Sequence, residues 1–205
     1  MTTKLYAPES TGLLFIDPYN DFLSEGGKLF PRLKDSIEAN NVLDHLRQIV
    51  AAARGAGIRL FVVPHHKSEP NDFATWKHPT PYQLGAAKLQ VFQKGSWGAE
   101  WHPDFAPKDG DVLIKEHWAQ NGFANTDLDH QLKQHGIGRV ILIGMVANTC
   151  VESTGRYAME LGYHVTLVTD ATAAFEPAMM HAAHVFNAPT FAHAIVTTAE
   201  LLAAL

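Results

Sequence analysis

A single thiol, Cys150, follows the apolar run Val140-Ile141-Leu142-Ile143 and the turn Gly144-Met145-Val146-Ala147-Asn148-Thr149. Residues 151–161 read as a helix, so the thiol stands in a helical first turn. There the positive end of the helix dipole favours thiolate, the form that attacks electrophiles. The alternative is a buried cysteine acting as a small hydrophobe. Two more reactive side chains have comparable addresses: Asp17 closes the apolar run 11–16, and Lys115 closes 112–114. A neutral thiol is a weak nucleophile, so its chemistry needs a group that takes the proton. Asp17 could be that base, while Lys115 could stabilise the thiolate and keep Asp17 ionised. Attack on a carbonyl would create an oxyanion, which backbone N–H groups of the Gly144–Cys150 turn are placed to receive. Taken singly, Asp17 also fits a turn residue before Pro18, and Lys115 a rim charge beside Glu116.

These residues need a frame that brings three strand ends together. Apolar runs at 11–16, 59–63, 112–114, 140–143, 164–168 and 194–196 alternate with helical patterns. The helices are expected at 36–54, 126–136, 151–161, 177–186 and after Thr197 or Thr198, with Gly55, Gly136 and Gly162 as stops. Continuous apolar strands separated by helices imply an α/β fold, a parallel sheet covered on both faces. Such sheets bind ligands outside the carboxyl ends of their strands, where Asp17, Lys115 and Cys150 all lie. The 65–110 stretch, rich in Pro, Gly, His and Trp, reads as a long functional loop.

The 205 residues suit one domain, 1–205, with a composition of 46% hydrophobic and 18% charged residues. A net charge of −5 gives no electrostatic support for a nucleic-acid partner. One cysteine excludes an intrachain disulfide and multi-cysteine zinc patterns. No apolar run approaches a membrane span, and residues 1–10 lack the apolar core of a signal peptide, so a cytoplasmic location is expected. Twelve histidines are present, a residue type that shuttles protons or binds metals.

Together, Leu14-Phe15-Ile16-Asp17-Pro18-Tyr19-Asn20-Asp21-Phe22, the strand into Lys115, and Gly144 through Thr154 resemble the isochorismatase-like cysteine hydrolase superfamily, which includes nicotinamidase and N-carbamoylsarcosine amidohydrolase relatives. The resemblance covers nearly the whole chain. It implies a three-layer Rossmann-like fold, a six-stranded parallel sheet with helices on both faces, assembled as a homodimer or homotetramer. It implies hydrolysis of amide, carbamoyl or ureido C–N bonds through a thioester. In that scheme Asp17 is the base, Lys115 the third triad member and Cys150 the nucleophile. A cis Met145–Val146 peptide is implied as well, with the Val146 and Cys150 N–H groups as oxyanion hole.

Two departures narrow the expectation. Pro64 stands where nicotinamidases place the Asp of an Asp-x-His metal cluster, and His65 and His66 are adjacent on the loop. No metal and no cofactor are therefore expected. Cys150 favours amide hydrolysis over isochorismatase-type vinyl-ether cleavage, which needs no thiol. A non-enzymatic thiol-based binding or redox module is the remaining alternative. Substrate-pocket candidates are Asn20, Phe22, His117, Trp118 and Phe123, with Phe73, Trp76, Tyr82, Trp97 and Trp101 from the long loop. Each aromatic could instead fill the core.

Overall fold

Six strands form the sheet in the computed structural model, which describes residues 5–205. Residues 1–4, the start of the stretch read as lacking a leader, lie outside the described residues. The strands are β1 (Thr11–Ile16), β2 (Arg59–Val63), β3 (Val112–Leu113), β4 (Arg139–Met145), β5 (His164–Ala173) and β6 (Ala194–Val196). All pairings are parallel, in the order β3-β2-β1-β4-β5-β6. The order reverses between β1 and β4, which makes the crevice at their carboxyl ends the expected ligand site.

The helices are α1 (Asn20–Leu23), α2 (Phe30–Ala39), α3 (Val42–Gly55), α4 (Pro81–Leu89), α5 (Leu128–Gln134), α6 (Glu152–Glu160), α7 (Pro177–His181) and α8 (Thr198–Ala204). Side chains alternate across each strand, so one sheet feeds two cores. Leu13, Phe15, Val62 and Ile143 pack with Leu33 of α2, Leu46 and Ile49 of α3 and Leu201 of α8. Leu14, Ile16, Val63 and Leu142 pack on the other face with Leu128 and Leu132 of α5 and Ala158 of α6. The expected three-layer α/β architecture is present.

Some boundaries differ from expectation. The single helix read at 36–54 is two, α2 and α3. Asn40 returns its Nδ2 to Ser36 O at 2.8 Å, and Asn41 takes a left-handed φ of 49°. Asn tolerates that conformation because its short polar side chain bonds locally. The fifth strand runs on to Ala173, after a register shift opposite Leu142–Gly144. The 65–110 stretch contains α4, which the Pro- and Gly-rich composition hides. Its start was nonetheless encoded in Thr80-Pro81-Tyr82-Gln83: Thr80 and Gln83 form a reciprocal capping box, with Pro at the first helical position.

Candidate active site

Asp17 leaves β1 in a left-handed conformation, φ 54°, and its N–H donates to Val63 O at 3.0 Å. Cys150 sits on one turn of π-helix, Ala147–Val151, that runs into α6. Gly144 lets the two strand ends close. Its φ is +115°, and a Cβ there would meet Ile16 O at 2.1 Å, so only glycine fits against the end of β1. The Met145–Val146 peptide that follows is cis, as the family resemblance implied.

The third member of the cluster is His117, not Lys115. The pairing register explains the difference. Phe61 and Val62 pair with Val112 and Leu113, but His65 bridges His117, so the third strand has gained one residue in between. An inserted residue reverses the facing of everything beyond it. Ile114 is buried, Lys115 is exposed, and His117 points inward, fully buried. Lys115 lies by Asp127: its N–H donates to Asp127 Oδ1 at 2.9 Å, and its charge helps hold that carboxyl below its ordinary range.

His117 Nε2 lies 3.1 Å from Asp17 Oδ1, and both side chains are fully buried. One donor atom each from Asp17, His117 and Cys150 falls within 4.8 Å of the others. His117 therefore takes the place expected for Lys115. Among the described residues this is also the one such cluster with donors close enough to hold a metal ion. Asp17 Oδ2 has no hydrogen-bond partner, which leaves it a free acceptor within the cluster.

The electrostatics overturn the expectation of a resting thiolate. Burial pushes the Cys150 thiol well above its ordinary range, and the nearby Asp17 carboxylate pushes the same way. The Thr149 hydroxyl and the Val146 N–H act in the opposite direction but do not prevail. The helix terminus is a weaker influence than loss of water and an adjacent carboxylate. Sγ also lies 3.7 Å from Ala119 O, an acceptor for the S–H form.

The thiol opens onto a cavity of about 150 Å³ lined by Phe22, Arg32, His65, Tyr82, Phe92 and Phe175 among others. Burial lowers the pKa of His65 to about 4, so its ring is neutral at neutral pH. Phe22 is a wall of this cavity. Asn20 is not available to substrate: its Nδ2 donates to Trp97 O at 3.0 Å and its Oδ1 accepts from Ser24 Oγ at 2.7 Å. Phe123 is a core residue between Tyr157 and Tyr163. Trp118 stacks on His66 at 3.9 Å and lines a separate cavity of about 470 Å³ with Trp76. Sequence reasoning missed Arg32 and Phe175 altogether, because neither stands near a strand end or in a motif.

Comparison with known proteins identifies the family. The chain is 30% identical over 196 residues to ureidoacrylate amidohydrolase RutB of Klebsiella pneumoniae, covering 91% of this chain and 83% of that protein. A cysteine hydrolase from Pseudomonas syringae has a similar structure, with a TM-score of 0.81 and 23% identity, over 100% of this chain and 98% of the other. N-carbamoylsarcosine amidase from Thermoplasma acidophilum superposes with a TM-score of 0.67 at 24% identity, over 92% and 96% of the two chains. The isochorismatase domain family matches residues 11–200, and the chain belongs to that family.

Proposed function

We propose that the protein is a cysteine hydrolase that cleaves a C–N bond of a small amide, carbamoyl or ureido compound, with Asp17, His117 and Cys150 as its working groups. The observation that carries this reading is the buried Asp17–His117–Cys150 cluster, whose Cys150 lines a largely apolar cavity. The activity named for the Klebsiella relative, ureidoacrylate hydrolysis, supports the bond class.

The resting thiol is protonated, so the reaction starts with proton transfer. Asp17 Oδ2 takes the S–H proton as Sγ bonds to the carbonyl carbon, and His117 holds Oδ1 and the orientation of the carboxylate. The carbonyl oxygen becomes an oxyanion facing the Val146 and Cys150 N–H groups, the proposed oxyanion hole. Asp17 returns the proton to the departing nitrogen as the C–N bond breaks, leaving an acyl thioester. Water then adds to the thioester carbon, giving one proton to Asp17. Collapse breaks the C–S bond, and the proton returns to sulfur.

The 2% exposure of Cys150 disfavours the redox-module alternative, which needs an accessible thiol. We read the enzyme as a cytoplasmic homodimer or homotetramer. The family resemblance supports the assembly, as do the exposed Val185 and Phe186. The absence, among the described residues, of a helix long and apolar enough to cross a membrane is compatible with the location.

Cys150→Ala should abolish turnover of ureido and amide substrates while the circular dichroism spectrum stays that of the parent. Mass spectrometry of the wild type quenched during turnover should find an acyl adduct on Cys150. Parental rates in the alanine variant would overturn the nucleophile assignment.

A further inference from the structure

We propose that Arg32 is an anion-binding residue of the catalytic cavity, which makes the enzyme selective for amides or ureas that carry a carboxylate. This rests on the reading of Cys150 as the nucleophile and names the substrate class for the same site. Arg32 and Cys150 line one cavity, whose other walls are mostly apolar: Phe22, Leu29, Leu89, Val91, Phe92 and Phe175. His65, the other basic lining residue, is neutral at neutral pH because burial depresses its pKa to about 4. Arg32 is thus the cation of an otherwise uncharged pocket.

The guanidinium is positioned without being neutralised. It lies over the Phe175 ring at 4.2 Å from the centroid, a cation–π contact, and among the described residues no hydrogen bond or ion pair engages its N–H groups. Most other arginines of the described chain are paired. Arg47 binds Asp44 and Asp104, Arg54 binds Asp111, and Arg156 binds Glu152. Among the described residues Arg32 has no carboxylate within ion-pair distance, although Asp35 and Glu176 line a second cavity of about 720 Å³ that it also borders. It occupies the first turn of α2, at the positive end of that helix, where a cation is locally disfavoured. An arriving carboxylate relieves that repulsion and takes a two-pronged hydrogen bond from the planar fork.

The position fits a short substrate. The apolar walls would hold a chain of a few carbons, with the scissile carbonyl at Cys150 and the anionic end at Arg32. A neutral amide would bind the same walls but leave the guanidinium unmatched.

The test compares charged and uncharged partners of one shape: N-carbamoyl-β-alanine against n-propylurea, and succinamic acid against butyramide. For the wild type, kcat/KM should favour the acid of at least one pair by about 10- to 100-fold, the range of a charge-assisted contact. Arg32→Gln should collapse that ratio toward unity, mostly through KM, and Arg32→Lys should restore part of it. An unchanged ratio in Arg32→Gln, or a wild type that prefers the neutral partner, would overturn the proposal. Calorimetry on Cys150→Ala separates this from failure of the catalytic reading. Succinate should bind that inactive protein and be lost in the double variant Cys150→Ala, Arg32→Gln, whether or not the parent turns over any amide. Equal succinate affinity in the two proteins would also overturn it.

Discussion

The thiol of Cys150 is held in its unreactive form first by burial and then by the same carboxylate that would deprotonate it. Burial and the Asp17 charge both oppose thiolate, so reactivity waits for a substrate carbonyl that lets proton transfer and attack occur together. A preformed thiolate would need a neighbouring cation, and the residue expected to supply it, Lys115, lies outside the cluster. His117 fills the third place with a hydrogen-bonding ring. His117→Ala should lower kcat/KM by about 100-fold or more, the usual worth of positioned acid–base machinery. Lys115→Ala should stay within about threefold of the parent, because its charge serves Asp127 at the surface. Steady-state kinetics of the two variants decide between them: a large loss in Lys115→Ala with a mild one in His117→Ala would restore the lysine assignment.

At the scale of elements, the site depends on how closely β1 and β4 finish. Gly144 pairs with Ile16, and its missing side chain is what allows the contact. Gly144→Ala should cost about 3 kcal/mol or more in denaturant unfolding, since it combines a backbone clash with a left-handed φ. Gly138→Ala, at a position where nothing lies within 4 Å, should stay within about 0.5 kcal/mol. Equal stabilities for the two variants would contradict this account of the closure. The apolar runs, the doubly covered sheet and the two residues Asp17 and Cys150 were all legible, because each strand announces itself by a continuous apolar string. The third residue was not. A strand's alternation carries through Ile114, and nothing in Lys115-Glu116-His117 reveals an inserted residue, which exists only in the pairing with Pro64 and His65. The pocket wall was equally hidden, since Arg32 and Phe175 meet only when α2 packs beside the chain leaving β5.

The whole molecule keeps a neutral histidine beside the Asp17–His117–Cys150 cluster, and this links stability to pH. His65 neighbours His117, with ring centroids 5.1 Å apart, and Asp17 and His66 also act on it. Burial is the largest influence and sets its folded pKa at about 4, against an ordinary value of 6.5. Between those two pH values the unfolded chain holds a proton on this residue and the folded chain does not. Protonation therefore pulls the equilibrium toward unfolding as pH falls from about 6.5, and the pull saturates once the folded form is protonated too, below about 4. His102, His164 and His184 are also depressed by burial and add to the same trend, so the wild-type curve alone does not isolate one residue. His65→Phe keeps an aromatic ring against Phe92 and removes the titration. The variant's Tm is expected to change less than the parent's between pH 6.5 and pH 4, whatever constant offset the lost hydrogen bond to His66 O introduces. Parallel Tm curves across that window would show that His65 does not carry the linkage. The same neutrality bears on the proposed recognition: with His65 uncharged at neutral pH, Arg32 is the cation lining the cavity it shares with Cys150, and so would be the group that orients an anionic substrate.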